Sequence, residues 1–178
     1  MKEKKTVPRY LKSKKTGIVQ RTVIIAILMF GSIYIAGCMS SGNTSRQAKI
    51  HEMGSQVMPF DLKKTQHIFQ MTEYGGIQQV VVRNRKDTEQ ISLIRQHLKH
   101  EATQFKNGNF SDPMSLHGTA MPGVSELSKN ASKIKIEYSD VPEGAQITFK
   151  TSDIHLITAI HRWFGAQLSD HGSDATYR

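Results

Sequence analysis

Residues 87–108, DTEQISLIRQHLKHEATQFKNG, carry the clearest structural signal in this chain. Their apolar residues are spaced mostly three or four positions apart, which places them on one face of an α-helix. Asp87 is typical of a helix N-cap, and Lys106-Asn107-Gly108 is a typical C-terminal stop. We therefore predict an amphipathic helix between these signals, and its buried face carries Ile91, Ile94, Leu98, Ala102 and Phe105.

Two strand-like runs precede this helix. Thr65 to Thr72 (TQHIFQMT) and Ile77 to Val82 both have the composition of β-strands. The residues between them include Gly75-Gly76, and a Gly-Gly pair between two strands predicts a hairpin because a positive φ costs glycine nothing. The first unit of the domain is therefore predicted to be a β-hairpin followed by the helix.

The second half of the chain repeats this order. Residues 133–138 alternate apolar and polar side chains, which predicts a half-buried strand. A turn at Val141-Pro142-Glu143-Gly144 leads to a return strand over 145–151. Asp153 then caps a last helix that ends at His171-Gly172, and its apolar face carries Ile157, Ile160, Phe164 and Leu168.

This pattern predicts a small two-layer α+β domain. About four antiparallel strands form the sheet, and both helices pack on one face of it, because this arrangement buries both apolar helix faces. The matching order of elements indicates a ββα–ββα duplication, although any α+β domain can show such an alternation. Residues 109–123 are predicted to form a loop because Pro and Gly interrupt them, and 125–131 a short helical turn.

The N-terminal segment has the organisation of a bacterial export signal. Residues 1–37 contain eight basic residues and one acidic residue. An uncharged apolar run from Val23 leads to Ile35-Ala36-Gly37-Cys38, which resembles the lipobox of bacterial lipoproteins. The run is shorter than the ~20 residues that a spanning helix needs, and this order of segments is typical of a cleaved signal peptide. An uncleaved membrane helix is the alternative.

The lipobox predicts an exported lipoprotein of the cell envelope, held at a membrane by lipid on Cys38. Since Cys38 is the only cysteine, no disulfide forms within the chain. We predict a signal peptide over 1–37, a flexible Ser- and Gly-containing tether over 38–59, a single α+β domain over 60–172 and a tail over 173–178.

The net charge of +9 belongs mainly to the signal peptide. Without the eight basic residues and one acidic residue of 1–37, residues 38–178 keep a net charge of only +2. They also contain no basic patch with interleaved aromatic residues, which argues against nucleic acid as a partner.

Histidine and methionine are the candidate ligands for a metal ion. Thioether and imidazole groups together suit a soft ion such as Cu(I), so copper is the candidate cofactor. There are two alternatives. The loop is purely structural, and its methionines fill gaps in the core. His161, which lies beside the apolar face of the last helix, is a hydrogen-bonded residue at the edge of the core and not a ligand. The predicted metal ligands are Met114, His117 and Met121 of the loop with His161 and His171 of the last helix.

The remaining histidines give weaker signals. His51, Met53 and Met58 form a second cluster on the tether side, whereas His97 and His100 are predicted to lie on a solvated helix face.

No motif in the sequence specifies an enzyme reaction, so no catalytic residue is predicted. Acid–base chemistry would have to draw on Asp112, His117, Asp140, His161, Asp170 and His171.

Several motifs resemble a group of small exported bacterial proteins, over about residues 58–172. They are Met58-Pro59-Phe60-Asp61-Leu62 with Thr65 and His67-Ile68-Phe69, Phe110-Ser111-Asp112-Pro113, His117-Gly118, Met121-Pro122-Gly123, His161-Arg162-Trp163-Phe164 and Ser169-Asp170-His171-Gly172. Members of this group are often labelled aspartate carbamoyltransferase.

The transcarbamoylase label does not fit the residues of this chain. True transcarbamoylases are two-domain enzymes that bind carbamoyl phosphate with a Ser-Thr-Arg-Thr loop, and the nearest match, Thr44-Ser45-Arg46, lies in the predicted tether. About 110 folded residues are too few for two such domains.

The sequence therefore predicts a lipid-anchored, non-catalytic binding module of the cell envelope, with copper or another soft metal as its ligand. The alternatives are a structural or protein-interaction lipoprotein without a ligand, and an envelope enzyme that uses His117 or His161. The protein partners are not specified by any motif.

Overall fold

The computed structural model describes residue 42 and residues 45–178. The predicted signal peptide over 1–37 and the lipidation site at Cys38 lie outside the described residues. Residues 45–178 belong to one compact unit, Asn43–Arg178. In the part of the chain that is described, no helix is both long enough and apolar enough to cross a membrane.

The first described element is a helix, α1, over residues 45–57, where the sequence predicts a flexible tether. Ile50 on this helix is 3% exposed and belongs to the hydrophobic core. Arg46 and His51 form ion pairs with Asp170 and Asp174 near the C-terminus. The polar composition of this segment gives no apolar period that would predict a helix. The side chains that hold α1 in place bond to partners more than 120 positions away, which the local sequence does not indicate.

Over residues 45–178, the sheet has five strands in the order β3-β4-β2-β1-β5. Four of them form the two predicted antiparallel hairpins, and β5 pairs with β1 in parallel over three residues at the edge, where the sequence predicts a tail. The mixed α+β class is confirmed. The strands are β1 Thr65–Thr72, β2 Gly75–Val82, β3 Lys135–Val141, β4 Gly144–Lys150 and β5 Ala175–Tyr177.

The first hairpin turns at Glu73-Tyr74, and the two glycines that predicted it lie in β2 instead. Gly75 has a φ of 137°, which glycine adopts without strain. A Cβ on Gly76 would lie 2.4 Å from Cε2 of Phe164. The glycine pair therefore allows a helix to approach the sheet closely, as well as starting the second strand.

The two long helices, α2 (Thr88–Lys106) and α5 (Ile154–His171), lie where the sequence predicts them. The carboxylates of Asp87 and Asp153 cap their N-termini by accepting backbone N–H groups. Both helices pack on one face of the sheet, since the ring of Phe149 in β4 lies 5.9 Å from Phe105 of α2 and 5.4 Å from Trp163 of α5. The buried face of α5 is rotated from the predicted one, because Trp163 is fully buried whereas Ile157 and Leu168 are only partly buried.

The predicted loop over 109–123 contains a short helix, α3 (Ser111–His117), and a second one, α4 (Val124–Lys129), follows it. Pro113 falls in the first turn of α3, where a missing N–H costs no hydrogen bond. The buried Phe110 stacks on Phe105 with a centroid separation of 4.6 Å, which fixes the start of α3 against α2. The segment is ordered by this packing rather than by a helical period of its own.

Candidate metal centre

A cavity of about 40 Å³ lies where α1, α2, α3 and α5 meet the sheet, and we call it the histidine cavity. One water molecule needs ~10–15 Å³ of such space, so the cavity admits an ion or a very small molecule. Its polar lining consists of His67, Gln78, His97, Glu101, Asp112, His117, Gln167 and His171.

The lining contains an unusual concentration of unpaired polar atoms. Six buried side-chain nitrogen or oxygen atoms have no hydrogen-bond partner among the described residues, and five of the six belong to residues that line the histidine cavity. An unpaired buried group costs about 1–3 kcal/mol, so a ligand that bonds to several of them would recover a substantial free energy. The five atoms are His67 Nδ1, Gln78 Oε1, Glu101 Oε1, Gln167 Oε1 and His171 Nδ1.

Three buried imidazole rings stand next to one another in the cavity wall. The rings of His67 and His171 stack with centroids 4.8 Å apart, and the edge of His117 meets His171 at 5.0 Å. Burial, followed by the charges of the neighbouring histidines, lowers the pKa of His67 well below its ordinary value. Burial likewise lowers the pKa of His171 to about 4. Both rings are therefore neutral near pH 7, the form that binds metal ions.

His117 is oriented by a buried carboxylate. Its Nδ1 lies 2.9 Å from Oδ2 of Asp170, and a carboxylate can only accept, so Nδ1 carries the hydrogen and Nε2 keeps its lone pair. Arg46 donates to both carboxylate oxygens of Asp170, at 2.5 and 2.6 Å, and to the backbone oxygen of His117 at 3.0 Å. A histidine held by a carboxylate in this way is typical of metal ligands and of catalytic bases.

The pKa values around this pair follow from competing effects. Burial alone would raise the pKa of Asp170, but the hydrogen bonds from Arg46 and His117 outweigh it and hold that pKa below its ordinary value. For His117, burial lowers the pKa by more than the bond to Asp170 raises it. Near pH 7 the pair is therefore an ionised carboxylate and a neutral imidazole.

Two carboxyl groups and two more histidines lie on the α2 and α3 side of the cavity. Burial, a hydrogen bond with Asp112 and the charge of Asp112 together raise the pKa of Glu101 to about 8, and burial is the largest of the three causes. Burial lowers the pKa of His97, which lines the cavity, to about 4. His97 is half-buried, so the prediction of a solvated helix face is wrong for it, whereas His100 is exposed as predicted.

The residues predicted as metal ligands do not all meet in one place. His117 and His171 come together in the histidine cavity, whereas Met121 lines a neighbouring pocket beside His117 and Asp170. Met114 packs, partly buried, against the hydrophobic core. The Nε2 atom of His161 lies 3.0 and 2.8 Å from the backbone oxygens of Thr72 and Gly75, so this ring holds the first hairpin to α5.

Other candidates have their own partners. His51 forms an ion pair with Asp174 at 2.6 Å, Met53 packs against the core, and Met58 lines the histidine cavity. Asp140 is exposed near the end of β3, where it pairs with Tyr138 and with Arg95 of α2.

Sequence reasoning missed His67 and Glu101, although a signal existed for each. His67 is two positions before the buried Phe69 in β1, and alternate residues of a strand share a face. Glu101 is four positions after His97 and adjacent to the buried Ala102 of α2.

A comparison with protein-family models, with curated proteins and with solved structures finds no match for this chain.

Proposed function

We propose that this chain is a lipid-anchored domain of the cell envelope that binds one transition-metal ion in the histidine cavity. The ligands in this proposal are nitrogen atoms of His67, His117 and His171, with Glu101 as the carboxylate. Among the described residues these ligand atoms do not already lie within 4.8 Å of one another, so the side chains would move closer together when the ion binds. One observation carries the proposal: the buried, unpaired nitrogens of His67 and His171 line the same small cavity as His117, whose other nitrogen is fixed by Asp170.

The donor set indicates the class of ion. Imidazole with carboxylate suits divalent ions such as Zn²⁺ and Cu²⁺, and neutral imidazoles bind them without first losing a proton. The thioether of Met58, which also lines the cavity, would add affinity for Cu(I). Copper therefore remains a candidate. Of the ligands predicted from the sequence, the proposal keeps His117 and His171 and leaves out Met114, Met121 and His161.

The anchoring part of the proposal is supported by the lipobox-like residues that end at Cys38. Substituting Cys38→Ala should release the protein from membranes or leave it uncleaved, as seen by fractionation and by the mass of the chain. Normal cleavage together with unchanged membrane attachment would contradict the lipid anchor without affecting the metal site.

The metal site is tested by titrating the full chain, purified in detergent and stripped with a chelator. Zn²⁺, Cu²⁺ and, under reducing conditions, Cu(I) are each added in competition with a chromophoric chelator. We expect tight binding of at least one of these ions that His67→Ala and His171→Ala each weaken at least tenfold. His155→Ala is the matched control, since His155 is exposed near the start of α5.

Equal affinity in the parent chain and in both cavity variants would contradict the proposal. Circular dichroism of each variant shows whether a loss of binding follows from unfolding instead.

A second candidate function is acid–base catalysis, which the Arg46–Asp170–His117 arrangement favours. A neutral imidazole held by an ionised carboxylate is the geometry of a general base. In this case His117 would act on a small molecule in the cavity. Metal titration separates the two functions, because a metal-free enzyme would bind none of the ions tightly.

A further inference from the structure

A second group of candidate ligands lies at the surface end of the histidine cavity, and two of its three members also line that cavity. His100, Glu101 and Asp112 each offer one ligand atom, and these three atoms lie within 4.8 Å of one another. His100 and Glu101 are consecutive residues of α2, and Asp112 lies in the first turn of α3. The exposed His100, the half-buried Asp112 and the buried Glu101 therefore lead from the surface towards the cavity.

The surroundings of Glu101 distinguish this group from an ordinary cluster of surface acids. Glu101 is 5% exposed, and its Oε1 is one of the unpaired atoms of the cavity lining. In the part of the chain that is described, neither Glu101 nor Asp112 forms an ion pair with a lysine or arginine. The Asp112 carboxylate accepts a long hydrogen bond of 3.4 Å from the hydroxyl of Ser111, and the hydroxyl of Ser115 donates to the Asp112 backbone oxygen instead. The Glu101–Asp112 pair therefore has no lysine or arginine beside it in the described part of the chain, and Glu101, whose pKa is raised to about 8, would release its proton when an ion binds.

We infer that His100, Glu101 and Asp112 bind a second divalent metal ion at the mouth of the histidine cavity, and that Glu101 is shared between this outer ion and the inner one. A carboxylate has two oxygen atoms, so one side chain can bind two ions at once, as in two-metal sites. That Glu101 binds both ions rests on the proposed function, whereas binding of the outer ion depends only on His100, Glu101 and Asp112.

The ligand set selects the ion. Two carboxylates and one imidazole favour Zn²⁺, Mn²⁺ or Fe²⁺ and offer no sulfur for Cu(I). The inner position, with three imidazoles and a thioether nearby, has the softer set of the two. Zn²⁺ suits both positions and is therefore the probe for counting them.

The test is the number of Zn²⁺ ions bound by the full chain in detergent, measured by equilibrium dialysis and elemental analysis. We expect two ions per chain. His100→Ala and Asp112→Asn should each leave one ion, and both residues lie at least partly at the surface, where substitution spares the core. His171→Ala should also leave one ion, Glu101→Gln should weaken both at least tenfold, and His155→Ala should keep both.

Fewer than two bound ions would contradict one or both of the metal sites, and the variants show which. One ion that His171→Ala removes and His100→Ala and Asp112→Asn do not would overturn the outer site and leave the proposed function standing. One ion with the reverse dependence would support the outer site and contradict the proposed function. No ion in the parent chain would contradict both.

Discussion

Arg46 and Asp170 form an ion pair with two hydrogen bonds, 2.5 and 2.6 Å long, although 124 positions separate them in the chain. The Asp170 side chain is 8% exposed and that of Arg46 is 50% exposed, so the pair lies at the edge of the core. It attaches α1 to α5 and fixes the carboxylate that orients His117. The segment predicted as a tether is therefore part of the domain and of the candidate site.

Removing Arg46 should destabilise the domain. Arg46→Ala leaves the Asp170 carboxylate without its cation, and we expect the free energy of unfolding to fall by about 1–2 kcal/mol. Urea unfolding can be followed by the fluorescence of Trp163, the only tryptophan, which is fully buried. Arg162→Ala is the control, because the exposed Arg162–Glu126 pair should contribute less than about 1 kcal/mol. Equal effects of the two variants would contradict a special role for Arg46.

The metal-free domain should be most stable near pH 6.5. The pKa values of His97 and His171 fall from 6.5 to about 4 on folding, so the unfolded chain binds more protons below pH 6.5 and stability is lost as the pH falls towards 4. The pKa of Glu101 rises from 4.5 to about 8, so the folded chain holds a proton that the unfolded chain has lost, and stability declines as the pH rises to 8.

Between pH 4.5 and 6.5 the two effects oppose each other, and the two histidines outweigh the one glutamate. Urea unfolding of the chelator-treated chain at pH 5, 6.5 and 8 tests this profile. Glu101→Gln should abolish the decline above pH 6.5. A parent chain that is more stable at pH 8 than at pH 6.5 would show that Glu101 does not hold its proton in the folded state.

His161 is expected to act in folding and not in metal binding. Its ring contacts the backbone oxygens of Thr72 and Gly75, so His161→Ala should lower the free energy of unfolding by about 1–2 kcal/mol while leaving metal affinity unchanged. Urea unfolding and metal titration of the same variant measure both quantities. A variant of normal stability with weakened metal binding would return His161 to the ligand set predicted from the sequence.

Two glycine substitutions test the close packing of α5 on β2. Gly76→Ala would place a methyl group 2.4 Å from Phe164, which should cost about 1–3 kcal/mol of stability. Gly165→Ala on α5 has no heavy atom within 4 Å of the new methyl group, so it should stabilise the helix by about 0.5–1 kcal/mol. Urea unfolding should therefore show opposite signs for the two variants, and a shared sign would contradict the packing.

The elements that could be predicted from the sequence have local signals. The apolar period and the caps Asp87 and Asp153 predict α2 and α5. Strand composition with a glycine pair predicts the first hairpin, and alternation of apolar and polar residues with a Pro-Glu-Gly turn predicts the second. Helix α1 and strand β5 have no such signal, because α1 depends on distant ion pairs and β5 on three paired residues at the sheet edge. Their existence depends on tertiary contacts that spacing along the chain does not encode.

The candidate site was predictable only in part, for the same reason. His117 and His171 stood out as histidines near Gly and Pro motifs, and both reach the cavity. Their neighbours His67 and Glu101 come from a strand and a helix that meet only in the folded domain. Met114 and Met121 were predicted as ligands because they lie close to His117 in the sequence. In the structure Met114 packs against the hydrophobic core, and Met121 lines a neighbouring pocket.

The most direct measurement is anomalous X-ray scattering at the zinc edge from crystals of the chain grown with Zn²⁺. We expect a peak inside the histidine cavity, within bonding distance of ring nitrogens of His67 and His171. A cavity that holds only water bonded to these nitrogens, in crystals with Zn²⁺ bound elsewhere or not at all, would contradict the proposed metal site.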